Sequence, residues 1–280
     1  MTIGGHVSIA GGISRAIERA KQEGFKVLQT FAGSPRSFKA TEYSQTEIDL
    51  FNEGFKKEGF KALFFHAIYL LNLASEKEYL VNLSVDSLIS YLQFGAKVNC
   101  IGTIFHVGSY KERTFNDVKE QIVVAMKKVL KNTPENQFLI VENAAGGGGR
   151  VGATLEELIY FHKAVNSDRL KFCVDTQHLF ATGVNVADSK EFGTWLSTFD
   201  TQIGIENLVC LHANDSMTEL GSKHDRHENI GAGLIGSAGF RNILKQPLLK
   251  DKYLLLEVPG QNKAGPDKAN ADRLRELSEN

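Results

Sequence analysis

The sequence predicts an α/β fold, a single closed (β/α)8 TIM barrel spanning residues 1–280, with its active site at the C-terminal ends of the strands. Three observations carry this. Eight short apolar runs rich in β-branched and aromatic residues recur along the chain, a longer amphipathic stretch intervenes between runs, and six consecutive runs close on His, Asp or Glu. Alternating strand and helix implies parallel pairing through right-handed crossovers. Eight such units in 280 residues match the size of a closed barrel, with an open doubly wound sheet as the alternative.

The runs come in order at 1–4, 27–31, 62–65, 101–105, 138–141, 171–174, 208–211 and 253–256. Their near-continuous hydrophobicity suits parallel strands covered on both faces. Between them, stretches such as 13–23, 45–59, 80–95, 116–131 and 154–165 return an apolar residue every three or four positions, the spacing of a helix with one buried face. No Pro-rich or low-complexity linker divides the chain.

Composition excludes several classes. With 42% hydrophobic and 23% charged residues the chain can bury a large core, so disorder is not expected. The 32 basic and 33 acidic residues leave a net charge of −1, so any contact with nucleic acid has to be local. Cys100, Cys173 and Cys210 lie in or beside apolar runs without a Cys-x-x-Cys pair, and read as reduced core residues in a cytoplasmic protein. Neither a secretory signal nor a membrane span is expected.

Two glycine patterns are set aside. Gly146 to Gly149 follows the fifth run and reads as a flexible loop; it lacks the Lys-Ser/Thr of a phosphate-binding P-loop. Gly231, Gly233 and Gly236 satisfy G-x-G-x-x-G, yet they follow a polar loop where a dinucleotide fold needs a strand. They read as a supporting loop.

Chemistry lies in the residues that close the runs. His66, His106, Glu142, Asp175, His212 and Glu257 end the third to eighth runs in succession. A lone His or Asp after a strand is usually a turn residue. With 8 histidines and 33 acidic residues in the whole chain, six such ends in a row lie far outside chance, and in a parallel barrel all of them point to one mouth. His178 follows Asp175 by three residues, and Asp225 and His227 lie two apart in an extended stretch. Imidazole with carboxylate suits zinc, with manganese or iron as alternatives. Nine such side chains exceed what one ion can use, which points to two or three ions sharing a bridging carboxylate, an arrangement suited to phosphoester hydrolysis.

Gly5-His6-Val7-Ser8 with Gly11-Gly12, Tyr69-Leu70-Leu71-Asn72-Leu73, Phe105-His106-Val107-Gly108-Ser109, Glu142-Asn143, Asp175-Thr176-Gln177-His178, His212-Ala213-Asn214-Asp215-Ser216, Asp225-Arg226-His227-Glu228 and Glu257 carry a resemblance over nearly the whole chain. The chain resembles the endonuclease IV family, zinc-dependent apurinic/apyrimidinic endonucleases of the xylose-isomerase-like barrels. The resemblance implies three Zn2+ ions. His66 and His106 would hold one, Asp175, His212 and Glu257 a second, with Glu142 bridging these two, and His178, Asp225 and His227 a third. Glu142, Asp175 and Glu257 would be the catalytic carboxylates, Glu142 as an orienting bridge more than a free base. The implied reaction is DNA-repair hydrolysis of the phosphodiester 5′ to an abasic site, leaving a 3′-hydroxyl and a 5′-deoxyribose phosphate, together with removal of 3′-blocking groups.

The implied partner is double-stranded DNA with abasic sites or 3′-blocked ends, met by a monomer that joins the nucleoid during repair. Arg36, Tyr69 and Leu70 match residues that such enzymes insert into the gap left by the extruded nucleotide. Three positions depart from the family pattern: Ala67 replaces an acidic residue, Tyr110 a His, and Met217 a Lys that would contact phosphate. His6 is family-like but unassigned, and His162 and His224 are expected to face solvent. Two rival readings stand beside the nuclease: a metal-dependent sugar isomerase or epimerase on the same barrel, separated by the His178, Asp225 and His227 trio, and a non-catalytic binder of abasic DNA.

Overall fold

The order of elements follows the alternation of the sequence. The chain runs β1 (Thr2–His6), α1 (Arg15–Gln22), β2 (Val27–Thr30), α2 (Gln45–Lys57), β3 (Ala62–His66), α3 (Glu78–Lys97), β4 (Gly102–Phe105), α4 (Phe115–Lys131), β5 (Phe138–Glu142), α5 (Leu155–Val165) and β6 (Leu170–Asp175). It continues through α6 (Thr176–Thr182), α7 (Ser189–Gln202), β7 (Leu208–His212), β8 (Asp215–Ser216), β9 (His227–Glu228), α8 (Gly236–Leu244), β10 (Tyr253–Leu256) and α9 (Lys268–Glu279). The computed structural model describes residues 1–39 and 41–279. Eight strands close into a barrel in the order β1-β10-β7-β6-β5-β4-β3-β2, every neighbouring pair parallel. The short strands β8 and β9 pair antiparallel outside it. The closed barrel predicted from the sequence is the fold, and the open sheet is not.

Helices dock where the sequence supplies an apolar stripe. α4 buries Val118, Ile122, Met126 and Val129, which recur every three or four residues. α2 begins at a reciprocal cap in which Ser44 accepts from the Glu47 N–H and the Glu47 carboxylate takes the Ser44 N–H. The larger core lies between strands and helices and includes Phe65, Phe105, Phe161, Phe172 and Phe240, all fully buried. Truncating any one of these rings costs about 3–5 kcal/mol.

A second core fills the barrel interior with Val27, Ala62, Phe64, Ile104, Ile140, Cys173, Cys210 and Leu255. Their strand neighbours, such as Leu63 and Phe65 beside Phe64, belong to the outer core, so the strands alternate between the two. All three cysteines are buried and free, as expected. Among the described residues no helix is long and apolar enough to cross a membrane.

Candidate metal centre

Strand alternation builds the site. Two positions beyond each interior residue the side chain returns to the inner face, now at the mouth. Val27, Phe64, Ile104, Ile140, Cys173, Cys210 and Leu255 are thus followed by Gln29, His66, His106, Glu142, Asp175, His212 and Glu257. β1 adds His6 at its last position. Every strand of the barrel contributes one polar side chain to a single ring.

Glu142 sits at its centre, fully buried. Its Oε2 lies 3.1 Å from His66 Nε2 and 3.2 Å from His106 Nε2, and its Oε1 lies 2.8 Å from His212 Nδ1 and 3.4 Å from His178 Nδ1. His212 Nδ1 also faces Glu257 Oε2 at 3.3 Å and Asp175 Oδ2 at 3.8 Å. His227 Nε2 stands 3.6 Å from Asp175 Oδ2, and Asp225 Oδ1 lies 3.4 Å from His178 Nε2 and 3.3 Å from His227 Nε2. All nine sequence-derived candidates therefore meet.

All but Asp225 fall into three groups in which the ligand atoms lie within 4.8 Å of one another: His66, His106 and Glu142; Glu142, Asp175, His212 and Glu257; and Asp175, His178 and His227. Glu142 and Asp175 each belong to two groups. The sequence reading anticipated one shared carboxylate and gave Asp225 to the third group. In the structure Asp175 takes that place, because its Oδ2 faces both His212 and His227, while Asp225 lies beside His178 and His227.

The donor set fits divalent cations. Backbone carbonyls can only accept, so His66 Nδ1 donates to Ala67 O (2.8 Å), His178 Nδ1 to Asn143 O (2.9 Å) and His227 Nδ1 to Glu257 O (3.3 Å). That leaves the Nε2 lone pairs turned toward carboxylate oxygens, an arrangement that is repulsive without positive charge between them. The Nε2 atoms of His178 and His227 are buried without a hydrogen-bond partner. Electrostatics say the same. Burial alone would lower His178, but Asp175, Asp225 and Glu142 outweigh it and raise the imidazole to about 10. His212 is likewise raised well above its usual range against burial by Glu257, Glu142 and Asp175. Burial prevails at His106 and lowers it to about 4. Against the cost of burial, His106 and His212 hold the Glu142 carboxyl well below its usual range.

Supporting groups set these positions. Asp175 caps α6, its Oδ1 accepting from the N–H groups of Gln177 (2.7 Å) and His178 (3.0 Å), which fixes His178 one turn away. Asn214 donates to Asp175 Oδ2 (2.7 Å) and accepts from the Glu257 N–H (2.8 Å), tying β6 to β10. The G-x-G-x-x-G stretch wraps a carboxylate of its own chain: Asp215 accepts from the N–H groups of Ser216, Gly231, Gly233, Ile235 and Gly236 at 2.8–3.2 Å. A Cβ on Gly233 would fall 2.5 Å from Ser216 O, so only glycine fits there. This nest anchors the β8–β9 ribbon that carries His227.

A cleft of about 1090 Å³ opens beside the ring, lined by Tyr69, Leu70, His106, Arg150, Lys223 and Arg226 among others. Tyr69 is 66% and Leu70 48% exposed, unusual for large apolar side chains beside a buried polar cluster. Arg36 is exposed but is not among the residues lining this cleft. Its neighbours Ser34 and Pro35 line an adjoining cavity of about 620 Å³.

The glycine run expected to be a flexible loop is tied down. Ser109 Oγ donates to Gly148 O (2.5 Å), and Tyr110 N–H and Val151 N–H bond to Gly149 O and Gly108 O. Of the departing positions, Ala67 still anchors His66 through its carbonyl, Tyr110 packs over Gly149, and Met217 is 58% exposed on the ribbon. His224 is exposed as expected. His162 is instead half-buried, its ring against Phe172.

Fold and site together define a barrel whose mouth gathers His, Asp and Glu side chains that could hold cations, and residues 17–279 match the family model described as Xylose isomerase-like TIM barrel. The protein named Probable endonuclease 4 of Halothermothrix orenii is 36% identical over 92% of this chain and 94% of its own length. The crystal structure of endonuclease IV from Thermus thermophilus superposes with a TM-score of 0.87 at 34% identity, covering 100% of this chain and 99% of that one. A D-tagatose 3-epimerase-like protein, 20% identical with a TM-score of 0.72 over 100% and 97% of the two chains, shares the fold alone. Within the xylose isomerase-like TIM barrels, this chain belongs to the endonuclease IV family.

Proposed function

We propose that this chain is a DNA-repair endonuclease that hydrolyses the phosphodiester 5′ to an abasic site with three Zn2+ ions, and also clears 3′-blocking groups. The observation that carries this is the pair of bridging carboxylates, Glu142 and Asp175, which link three ligand groups into one cluster beside an exposed Tyr69 and Leu70. In this reading His66 and His106 would hold one ion, Asp175, His212 and Glu257 a second, with Glu142 common to both, and His178, Asp225 and His227 would hold the third. Bound ions supply Lewis-acid stabilisation of the phosphate and a water acidic enough to attack near neutral pH.

The side chains do the rest. Glu142, buried among four imidazoles, holds the groups in register and acts as an orienting bridge more than as a free base. Tyr69 and Leu70 stand on the turn after β3, where an apolar wedge fits the space left by a missing base. Extrusion costs least where no base stacks, so the lesion itself supplies part of the selectivity. Arg150, Lys223 and Arg226 bring positive charge to the cleft of a chain whose net charge is −1, which answers how a neutral protein meets a polyanion.

The test is a duplex carrying one tetrahydrofuran abasic analogue, which cannot undergo β-elimination. Incision 5′ to the analogue, insensitive to reductant and abolished by prolonged chelation, is the expected result. Binding without incision identifies a non-catalytic damage binder. One or two metal equivalents with no action on DNA points to the sugar-enzyme reading.

A further inference from the structure

We propose that Gln29 is a positioning residue that selects which ring nitrogen of His212 and which oxygen of Glu257 face the metal centre. This rests on the metal-dependent reading above. Gln29 is fully buried on β2 and makes all three of its side-chain contacts within the ring. Its Nε2 lies 2.5 Å from Glu257 Oε1, and an ionised carboxylate only accepts, so the amide nitrogen has to be on that side. The second N–H of the same nitrogen reaches His6 Nδ1 at 3.1 Å. The amide oxygen is thereby turned to His212 Nε2 at 2.8 Å.

That oxygen also only accepts, so His212 has to carry its proton on Nε2. Its Nδ1, which faces Glu142 Oε1, Glu257 Oε2 and Asp175 Oδ2 at 2.8, 3.3 and 3.8 Å, is then the nitrogen whose proton a bound cation replaces. The bond to Glu257 Oε1 likewise leaves Oε2 as the oxygen turned to the cation. Backbone carbonyls orient His66, His178 and His227, and no substitution can remove those. His212 is oriented by a side chain, so its tautomer is open to mutation.

The experiment compares the wild type with Gln29→Leu, which removes all three contacts, and Gln29→Glu, which keeps an oxygen facing His212. Zinc affinity is read by competition with a chromophoric chelator, and the ligating nitrogen of His212 by nitrogen-15 shifts of the zinc-loaded protein. Gln29→Leu is expected to weaken zinc by about 10–100-fold and to move His212 off the Nδ1-bound, Nε2-protonated pattern, which Gln29→Glu retains. A Gln29→Leu affinity within about twofold of wild type, with His212 unmoved, overturns the proposal. So do equal losses in both variants with His212 unmoved, since Gln29 is then only packing. Should Gln29→Leu not fold, loss of the His212 pattern in Gln29→Glu overturns it alone. Wild type that takes up no zinc sinks the proposed function and this inference together, which separates that failure from one confined to Gln29.

Discussion

Replacing Asp215 by Ala is expected to destabilise the protein by about 3–5 kcal/mol, a large effect for a residue that touches none of the ring. The figure comes from its hydrogen bonds. Five backbone N–H groups, those of Ser216, Gly231, Gly233, Ile235 and Gly236, end on its two oxygens, and the carboxylate is fully buried. Water entering the vacated volume can serve about two of these donors, and each of the remaining three costs about 1–1.5 kcal/mol, giving about 3–5 in all. Against a total stability of about 5–15 kcal/mol, that is about a fifth or more. The assay is equilibrium denaturation in urea, where the midpoint falls while the slope stays constant. Asp215→Asn, which keeps one acceptor oxygen, is expected to fall between. Because the nest holds the ribbon bearing His227, the variant is also expected to lose one zinc equivalent ahead of global unfolding. A loss below about 1 kcal/mol for Asp215→Ala would refute the reasoning, since it means that water replaces the whole nest.

Three further outcomes are expected. Glu142→Gln loses abasic-site incision by at least about 100-fold, since metal stabilisation of the phosphate is worth several kcal/mol, while His162→Ala on α5 keeps its rate; equal rates in both variants contradict the site. Zinc uptake releases protons: His178 and His212 are raised in the metal-free fold, so they carry protons at neutral pH that the ion has to displace, and affinity tightens as pH rises. Calorimetry in two buffers of different ionisation enthalpy counts those protons, and a heat independent of buffer contradicts this. Tyr69→Ala and Leu70→Ala are expected to narrow the preference for abasic over intact duplex by about 1–3 kcal/mol each, read from binding at fixed salt, with little change in zinc content.

Much of the site was legible because strand alternation is a rigid rule. Six strands break from apolar to metal-capable at the point where the inner face reaches the mouth, so reading the ends of the runs suffices from β3 onward. Gln29 escaped because Thr30 and Phe31 follow it, and a polar residue inside an apolar run does not mark its end. Counting two positions on from an interior residue, instead of to the end of each run, finds it. The nest around Asp215 was out of reach for a different reason: backbone N–H groups carry no sequence letter, and a glycine pattern says that donors converge without saying on what. The membership of Asp175 in two ligand groups depends on where β9 folds back, far along the chain, which no local pattern encodes. Arg36 is a case where motif matching is thin, since its loop matches the family less well and it is not among the residues lining the cleft beside the ring.

One contributor per strand also has a bearing on synthesis. β1, the first strand made, has β10, the last, as its neighbour, and the carboxylate just after β10 completes the second ligand group. A polypeptide still emerging from the ribosome therefore lacks Glu257 until all eight barrel strands have been translated. A half-built barrel has no complete ring of ligand side chains.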